Sequence, residues 1–226
     1  MPVQFQMASD QSLLVSFSNK VTLDAHQSVR KLLRLLAAEP VPAIRNLHPA
    51  YNSILIQFDA LKMEHRELKA ILRKYLQRMR QVKLAAPREI EIPVCYGGVY
   101  GPDLTEVAAL HGLAADKVIE LHSSRTYIVY FLGFVPGFAY LGELAAELFT
   151  PRMQTPRRAV PAGSVGIAGN QTGVYPFATP GGWRILGRTP AKMFRADNDT
   201  LSLLSVGDRV RFRAISAEEF AAWESM

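Results

Sequence analysis

The sequence predicts an α+β fold in two domains, a helix-backed sheet followed by a β-barrel. Three observations carry this. Up to residue 86, short apolar runs alternate with two segments of helical periodicity. Beyond it, short β-rich runs recur between glycines and prolines with few helical segments, the pattern of a closed or nearly closed barrel. The Ala85-Ala86-Pro87 step separates the two patterns, giving domains of residues 1–86 and 87–226. A chain of 226 residues can bury one large core or two small ones.

In the first domain, residues 12–17 (SLLVSF) read as a strand. Asp24 is the expected N-cap of a helix over 25–38, where Val29, Leu32, Leu33 and Leu36 recur at helical spacing and Pro40 stops it. Residues 43–47 and 53–58 read as two strands of a hairpin around the turn at 48–52. A longer helix is expected over 61–79, its apolar stripe made by Leu61, Leu68, Ile71, Leu72, Tyr75 and Met79, its other face basic. With 89–94 (EIEIPV) as the next strand, the order is that of a split β-α-β, ferredoxin-like unit. His26, His48 and His65 are isolated from one another, so this half reads as a docking or packing module.

In the second domain, residues 89–95 form a strand, and Pro102 opens a helix that runs to His111 and ends at Gly112. A second short helix covers 115–122. The pair imitates a helix-turn-helix, but its second helix begins Ala114-Ala115-Asp116-Lys117, poor tools for phosphates or bases, and no nucleic-acid partner is expected. Residues 126–132 (TYIVYFL) are the strongest buried strand, followed by an aromatic turn over 133–138. Further strands are expected at 159–161, 164–168, 173–177, 183–186, 201–204 and 209–214. Ser216 and Glu219 form a capping box for a terminal helix.

Composition narrows the function classes. One cysteine, Cys95, rules out an internal disulfide and a thiolate metal cluster, and fits a reducing compartment. No metal site is expected. The N-terminus MPVQFQMASD lacks a basic region followed by an apolar run, and no apolar stretch reaches the ~20 residues of a bilayer span, so the protein reads as cytoplasmic, with no membrane contact. The net charge of +6 permits an anionic partner, but the excess lies mostly over 62–88, as a solvated helix face.

The stretch 131–190 concentrates the candidate chemistry. It holds no Gly-x-Ser-x-Gly elbow, P-loop or paired-His zinc motif. Arg157 and Arg158 offer guanidinium forks for a carboxylate or phosphate. Gly163 and Ser164 can present amides and a hydroxyl to an anion. Gln171, Thr172 and Tyr175 add neutral hydrogen bonds, and Phe138, Tyr140 and Trp183 apolar walls for a small-molecule substrate. His122, the imidazole just before the core strand, is the candidate general acid or base, with a dipole-favoured helix C-terminal histidine as the alternative. The glycines are either barrel corners or part of the site; the accompanying Arg, Gln and Tyr point to a site.

The runs YGGVYGPDL, Leu121-His122, GFVPGFAYLG, TPRRAVPAGSVGIAGNQTGVYP, TPGGWRILGRTP and VGDRVRF, in this order over 94–213, closely resemble the family containing the B-type 5-oxoprolinase subunit and the KipI-type sensor-kinase inhibitor. It is also called the allophanate hydrolase subunit 1 family and is similar to part of the carboxyltransferase region of urea carboxylase. The first half matches more loosely, by element order. The resemblance implies a ferredoxin-like N-terminal domain and a cyclophilin-like β-barrel C-terminal domain, without prolyl isomerase activity. It implies a C-type (KipA-like) partner and an A-type partner, which together with a chain of this kind open 5-oxo-L-proline to L-glutamate with hydrolysis of ATP. ATP is expected at the level of the complex. For lactam opening, Arg157 or Arg158 would hold the substrate carboxylate, and the region of Ser164 and Gln171 would polarise the amide. Biotin is not expected, because Lys62-Met63 and Lys192-Met193 reverse the order of a biotinyl Met-Lys pair. Two alternatives carry the same motifs: a regulatory protein that blocks histidine kinase autophosphorylation, and a component of a urea carboxylase or allophanate hydrolase type system.

Overall fold

Residues 3–9 carry no charge and extend into β1 (Gln4–Ser9), which turns back into β2 (Ser12–Ser16). The computed structural model describes residues 3–197 and 201–224, in two compact units, 1–86 and 87–226.

In the first unit, α1 (Leu23–Ala38) is capped by Thr22, whose hydroxyl accepts from the Ala25 amide at 3.2 Å. Asp24, expected as the cap, sits instead in the first turn, where its charge favours the helix dipole. Val29, Leu32, Leu35 and Leu36 face the core and Leu33 is only partly buried. β3 (Ile44–Pro49) and β4 (Ser53–Phe58) form the expected hairpin, with Ile54, Ile56 and Phe58 alternating inward. α2 (His65–Arg78) opens on a Glu64–Glu67 capping box. Leu61, expected in its apolar stripe, precedes the helix and is 98% exposed.

The sheet runs β1-β2-β4-β3, antiparallel throughout. Its fourth strand is thus β1, which the strand pattern did not reveal, and not residues 89–94. That run belongs to β5 (Glu89–Tyr96), in which Ile92, Pro93, Val94 and Cys95 are buried in succession. Burial of both faces suits a closed barrel and not the edge of an open sheet.

The second unit continues through α3 (Leu104–His111), α4 (Ala115–Ser123), β6 (Thr126–Leu132), β7 (Ala139–Gly142), β8 (Arg157–Val160), β9 (Ser164–Ala168), β10 (Gln171–Val174), β11 (Thr179–Gly181), β12 (Arg184–Arg188), β13 (Arg209–Ala214) and α5 (Ala217–Glu224). Seven of these strands close a barrel in the order β10-β7-β6-β13-β5-β12-β9, meeting the expectation of a cyclophilin-like barrel. β5 and β13 pair in parallel, and register shifts at Val129/Phe131 and Ile185/Gly187 supply bends for closure. β8 and β11 form a separate ribbon. Residues 201–204, expected as a strand, make only an isolated bridge from Ser202 to Phe194. Pro102 falls in the turn before α3; Asp103 is the N-cap, and Gly112 closes α3 at φ 63°. Both halves of the Ser216–Glu219 capping box form, at 3.2 Å each.

Candidate functional site

The loop between β6 and β7 is short and rich in glycine, so it can fold tightly onto the barrel wall. A side chain at Gly137, φ 82°, would press within 2.8 Å of Phe194. Phe134 takes a positive φ of 70°, uncommon for an aromatic residue, and stands 59% exposed over the rings that follow.

Beneath it, Phe138 meets Tyr175 and Trp183 edge to face at 5.4 Å each, and Tyr140 meets Phe138 at 5.0 Å. Edge-to-face geometry places ring edges against π faces, holding all four rings. They line a hollow of about 100 Å³ together with Phe134, Arg152 and the turn 180–182. Gly181 is required there, because a side chain would overlap the Tyr175 hydroxyl. Burial raises the phenols of Tyr140 and Tyr175 above their ordinary value, opposed at Tyr140 by Arg152 and at Tyr175 by a hydrogen bond from the Trp183 backbone and then by Arg152. Both therefore stand as protonated hydrogen-bond donors at neutral pH. Arg152 is exposed, and among the described residues no carboxylate pairs with it.

Phe138, Tyr140, Tyr175 and Trp183 are thus brought together as expected, and Arg152 joins them. The other candidates lie elsewhere. Arg157 donates from Nη2 to Asp103 Oδ1 at 2.6 Å and from Nη1 to Met153 Sδ at 2.8 Å. Asp103 Oδ2 in turn accepts the Ile185 amide at 2.6 Å. The guanidinium expected to hold a substrate is already held by a buried carboxylate, which ties the segment carrying Arg152 and Met153 to α3 and β12. Arg158 is exposed on β8, outside the pocket lining. Gly163, φ 80°, serves a turn: its amide donates to the Tyr175 carbonyl at 2.7 Å, and the Thr189 amide donates to its carbonyl at 2.9 Å. Ser164 is buried, and its carbonyl accepts the Tyr175 amide at 2.9 Å. Gln171 opens β10 opposite Gly142 and Ala168, outside the pocket lining.

His122 and Thr172 meet, but inside the protein. The Thr172 hydroxyl donates to the Gly166 carbonyl at 3.0 Å, so it must accept from His122 Nε2 at 2.8 Å. Nδ1 is then the acceptor for the Tyr96 hydroxyl at 2.7 Å. The neighbours define a neutral Nε2–H tautomer. The ring is fully buried, stacks on Phe212 at 4.7 Å, and burial lowers its pKa to about 3. An imidazole so enclosed organises the core. It lies outside the lining of the aromatic pocket.

No signal in the sequence singled out Arg152 over its neighbours. What distinguishes it is its place in the pocket lining with no acidic partner among the described residues, a tertiary fact. Among the described residues no group of three His, Cys, Asp or Glu side chains could hold a metal, and no helix is long and apolar enough to cross a membrane.

Fold and site together define a two-unit α+β protein whose closed barrel carries a small, aromatic-walled, cationic pocket. Residues 3–204 match the carboxyltransferase domain, subdomain C and D. The chain is 36% identical to the B-type 5-oxoprolinase subunit of Bacillus subtilis (strain 168), over 98% of this chain and 96% of the relative. It is 44% identical to the B-type 5-oxoprolinase subunit of Escherichia coli O157:H7, over 91% and 93%. The chain therefore belongs to the carboxyltransferase-domain family that includes the B-type subunits of 5-oxoprolinase. Among solved structures it superposes on TTHA0988 with a TM-score of 0.80 at 34% identity, over 92% of this chain and about 40% of that longer chain's length. The urea amidolyase of K. lactis shares the fold at 18% identity and a TM-score of 0.78, over 97% of this chain and 15% of that one.

Proposed function

We propose that this chain is the B-type subunit of an ATP-dependent 5-oxoprolinase, a heteromeric hydrolase that opens 5-oxo-L-proline to L-glutamate. The observation that carries the reading is end-to-end similarity to proteins of that name, 98% of this chain against 96% of one relative.

The pocket chemistry supports it. At about 100 Å³ the hollow leaves room for no more than one small ring. The aromatic walls would take the flat lactam, Arg152 its carboxylate, and the protonated phenols of Tyr140 and Tyr175 its carbonyl oxygen. The lining includes no carboxylate, imidazole or thiol, so ring opening is assigned to the assembled complex and not to this chain by itself. ATP belongs in this reading to the complex, and the partners are a C-type (KipA-like) protein and an A-type protein, in the cytoplasm. The first unit, a ferredoxin-like arrangement whose fourth strand comes from the N-terminus, serves as a docking module. No observation favours the kinase-inhibitor or urea carboxylase readings over this one.

The test is co-purification with the C-type and A-type proteins, followed by an assay for glutamate formed from 5-oxoproline. Turnover should require ATP and all three chains. Absence of turnover, together with inhibition of a sensor histidine kinase, would overturn the proposal.

A further inference from the structure

The barrel unit carries a second hollow that shares no lining residue with the aromatic pocket. It lies among β5, the two limbs 190–195 and 201–204 of an excursion from the barrel, and the end of α5, and encloses about 370 Å³, within the range of small-ligand sites. It continues into an open groove that also contacts Lys192, Arg195 and Trp223.

Its walls are fixed. Met193 and Leu204 are buried in the barrel core and anchor both limbs of the excursion. Between them the Leu203 amide donates to the Met193 carbonyl at 2.9 Å, and the Arg195 amide to the Leu201 carbonyl at 2.7 Å. Lys192 and Arg195 therefore sit on an anchored limb. Two exposed apolar side chains share the lining, Leu201 at 51% and Trp223 at 45%.

Among the described residues the charges do not balance. Arg88 is committed to Asp208, its Nε donating to Oδ1 at 2.9 Å, and Glu91 accepts from Arg213 Nε at 3.0 Å. Lys192 and Arg195 make no ion pair among the described residues. Among the described residues, the carboxylate of Asp197 lines the open continuation and not the hollow itself. The result is a hollow with two cations that pair with no carboxylate among the described residues, beside an exposed indole and aliphatic walls of Ile90 and Leu203.

We infer that this hollow is a binding site for a small organic anion with a flat apolar body. The ring covers Trp223 and Leu201, removing apolar surface from water, and the acid group meets Lys192 and the Arg195 fork. Trp223 lies beyond residue 204, where the match to the carboxyltransferase-domain description ends, so the site depends on a C-terminal segment outside the matched region. The inference is independent of the substrate assigned to the aromatic pocket.

The test titrates the full chain with 8-anilinonaphthalene-1-sulfonate, a flat aromatic sulfonate, and follows its fluorescence. One saturable site per chain is expected, weakened by added salt. Affinity should fall about tenfold or more in the Lys192→Ala/Arg195→Ala double variant and again in Trp223→Ala. Circular dichroism should show each variant folded, since all three side chains are exposed. Arg152→Ala should leave the affinity within about twofold. Absence of saturable binding, parental affinity in the double variant, or loss of binding in Arg152→Ala would each overturn the inference.

Discussion

Arg157 and Asp103, 54 residues apart, meet at 2.6 Å, and the same carboxylate receives the Ile185 amide at 2.6 Å. The pair is largely buried, with 27% and 6% of the side chains exposed. Removing one partner leaves the other without compensation in a poorly solvated place. Arg157→Ala is expected to destabilise the barrel unit by about 3 kcal/mol, and Asp103→Asn by a similar amount because the Ile185 amide keeps only a neutral acceptor. Thermal or urea unfolding measures this. The double variant should cost less than the sum of the single changes, the signature of direct coupling.

A second prediction concerns acid. His122 has its pKa lowered to about 3 by burial, while an unfolded histidine titrates near 6.5. Below 6.5 the unfolded chain binds a proton that the folded chain refuses, so stability is full above that pH and falls as pH drops toward 3. The slope is about 1.4 kcal/mol per pH unit for one such group. His26 in the first unit is lowered to about 4, chiefly by burial and then by Arg30, and adds loss in the same window. In His122→Gln the barrel unit should lose its share of that slope. Denaturant titrations between pH 4 and 7 would show it, and an unchanged slope would contradict the buried neutral imidazole.

A third prediction rests on the backbone. Gly163 has φ 80°, and a side chain would overlap the Thr189 carbonyl oxygen. Gly163→Ala is therefore expected to cost about 2 kcal/mol or more, through both clash and strain. The loss should appear in unfolding experiments before any effect on ligand affinity, because the residue lies outside the pocket lining.

Much of the fold was legible along the chain, because local pattern and burial coincide in it. TYIVYFL is a strand by composition and a barrel strand in space. Where the two diverge, the sequence is silent. β1 has a single inward residue, Phe5, and β7 and β11 are only four and three residues long, too short to show a period. β5 looks like any amphipathic strand at its start, and its parallel pairing with β13, 120 residues away at Arg209↔Glu89, is a tertiary choice. The site divides likewise. Aromatic residues among glycines marked the pocket walls, since little else explains so many rings beside tight turns. The roles of the arginines depend on which has found a carboxylate. Arg157 has, through Asp103, and among the described residues Arg152 has not.

In the proposed function, the aromatic pocket with Arg152 holds the carboxylate of 5-oxoproline. The most direct measurement is steady-state kinetics of the reconstituted three-chain complex with Arg152→Ala. Loss of a charge-assisted contact made in both ground and transition states should raise KM about tenfold or more while kcat changes little. A Tm and circular dichroism spectrum matching the parent would show that the exposed substitution leaves the fold intact. Parental KM and kcat in that variant would contradict the assignment of Arg152 to the substrate carboxylate.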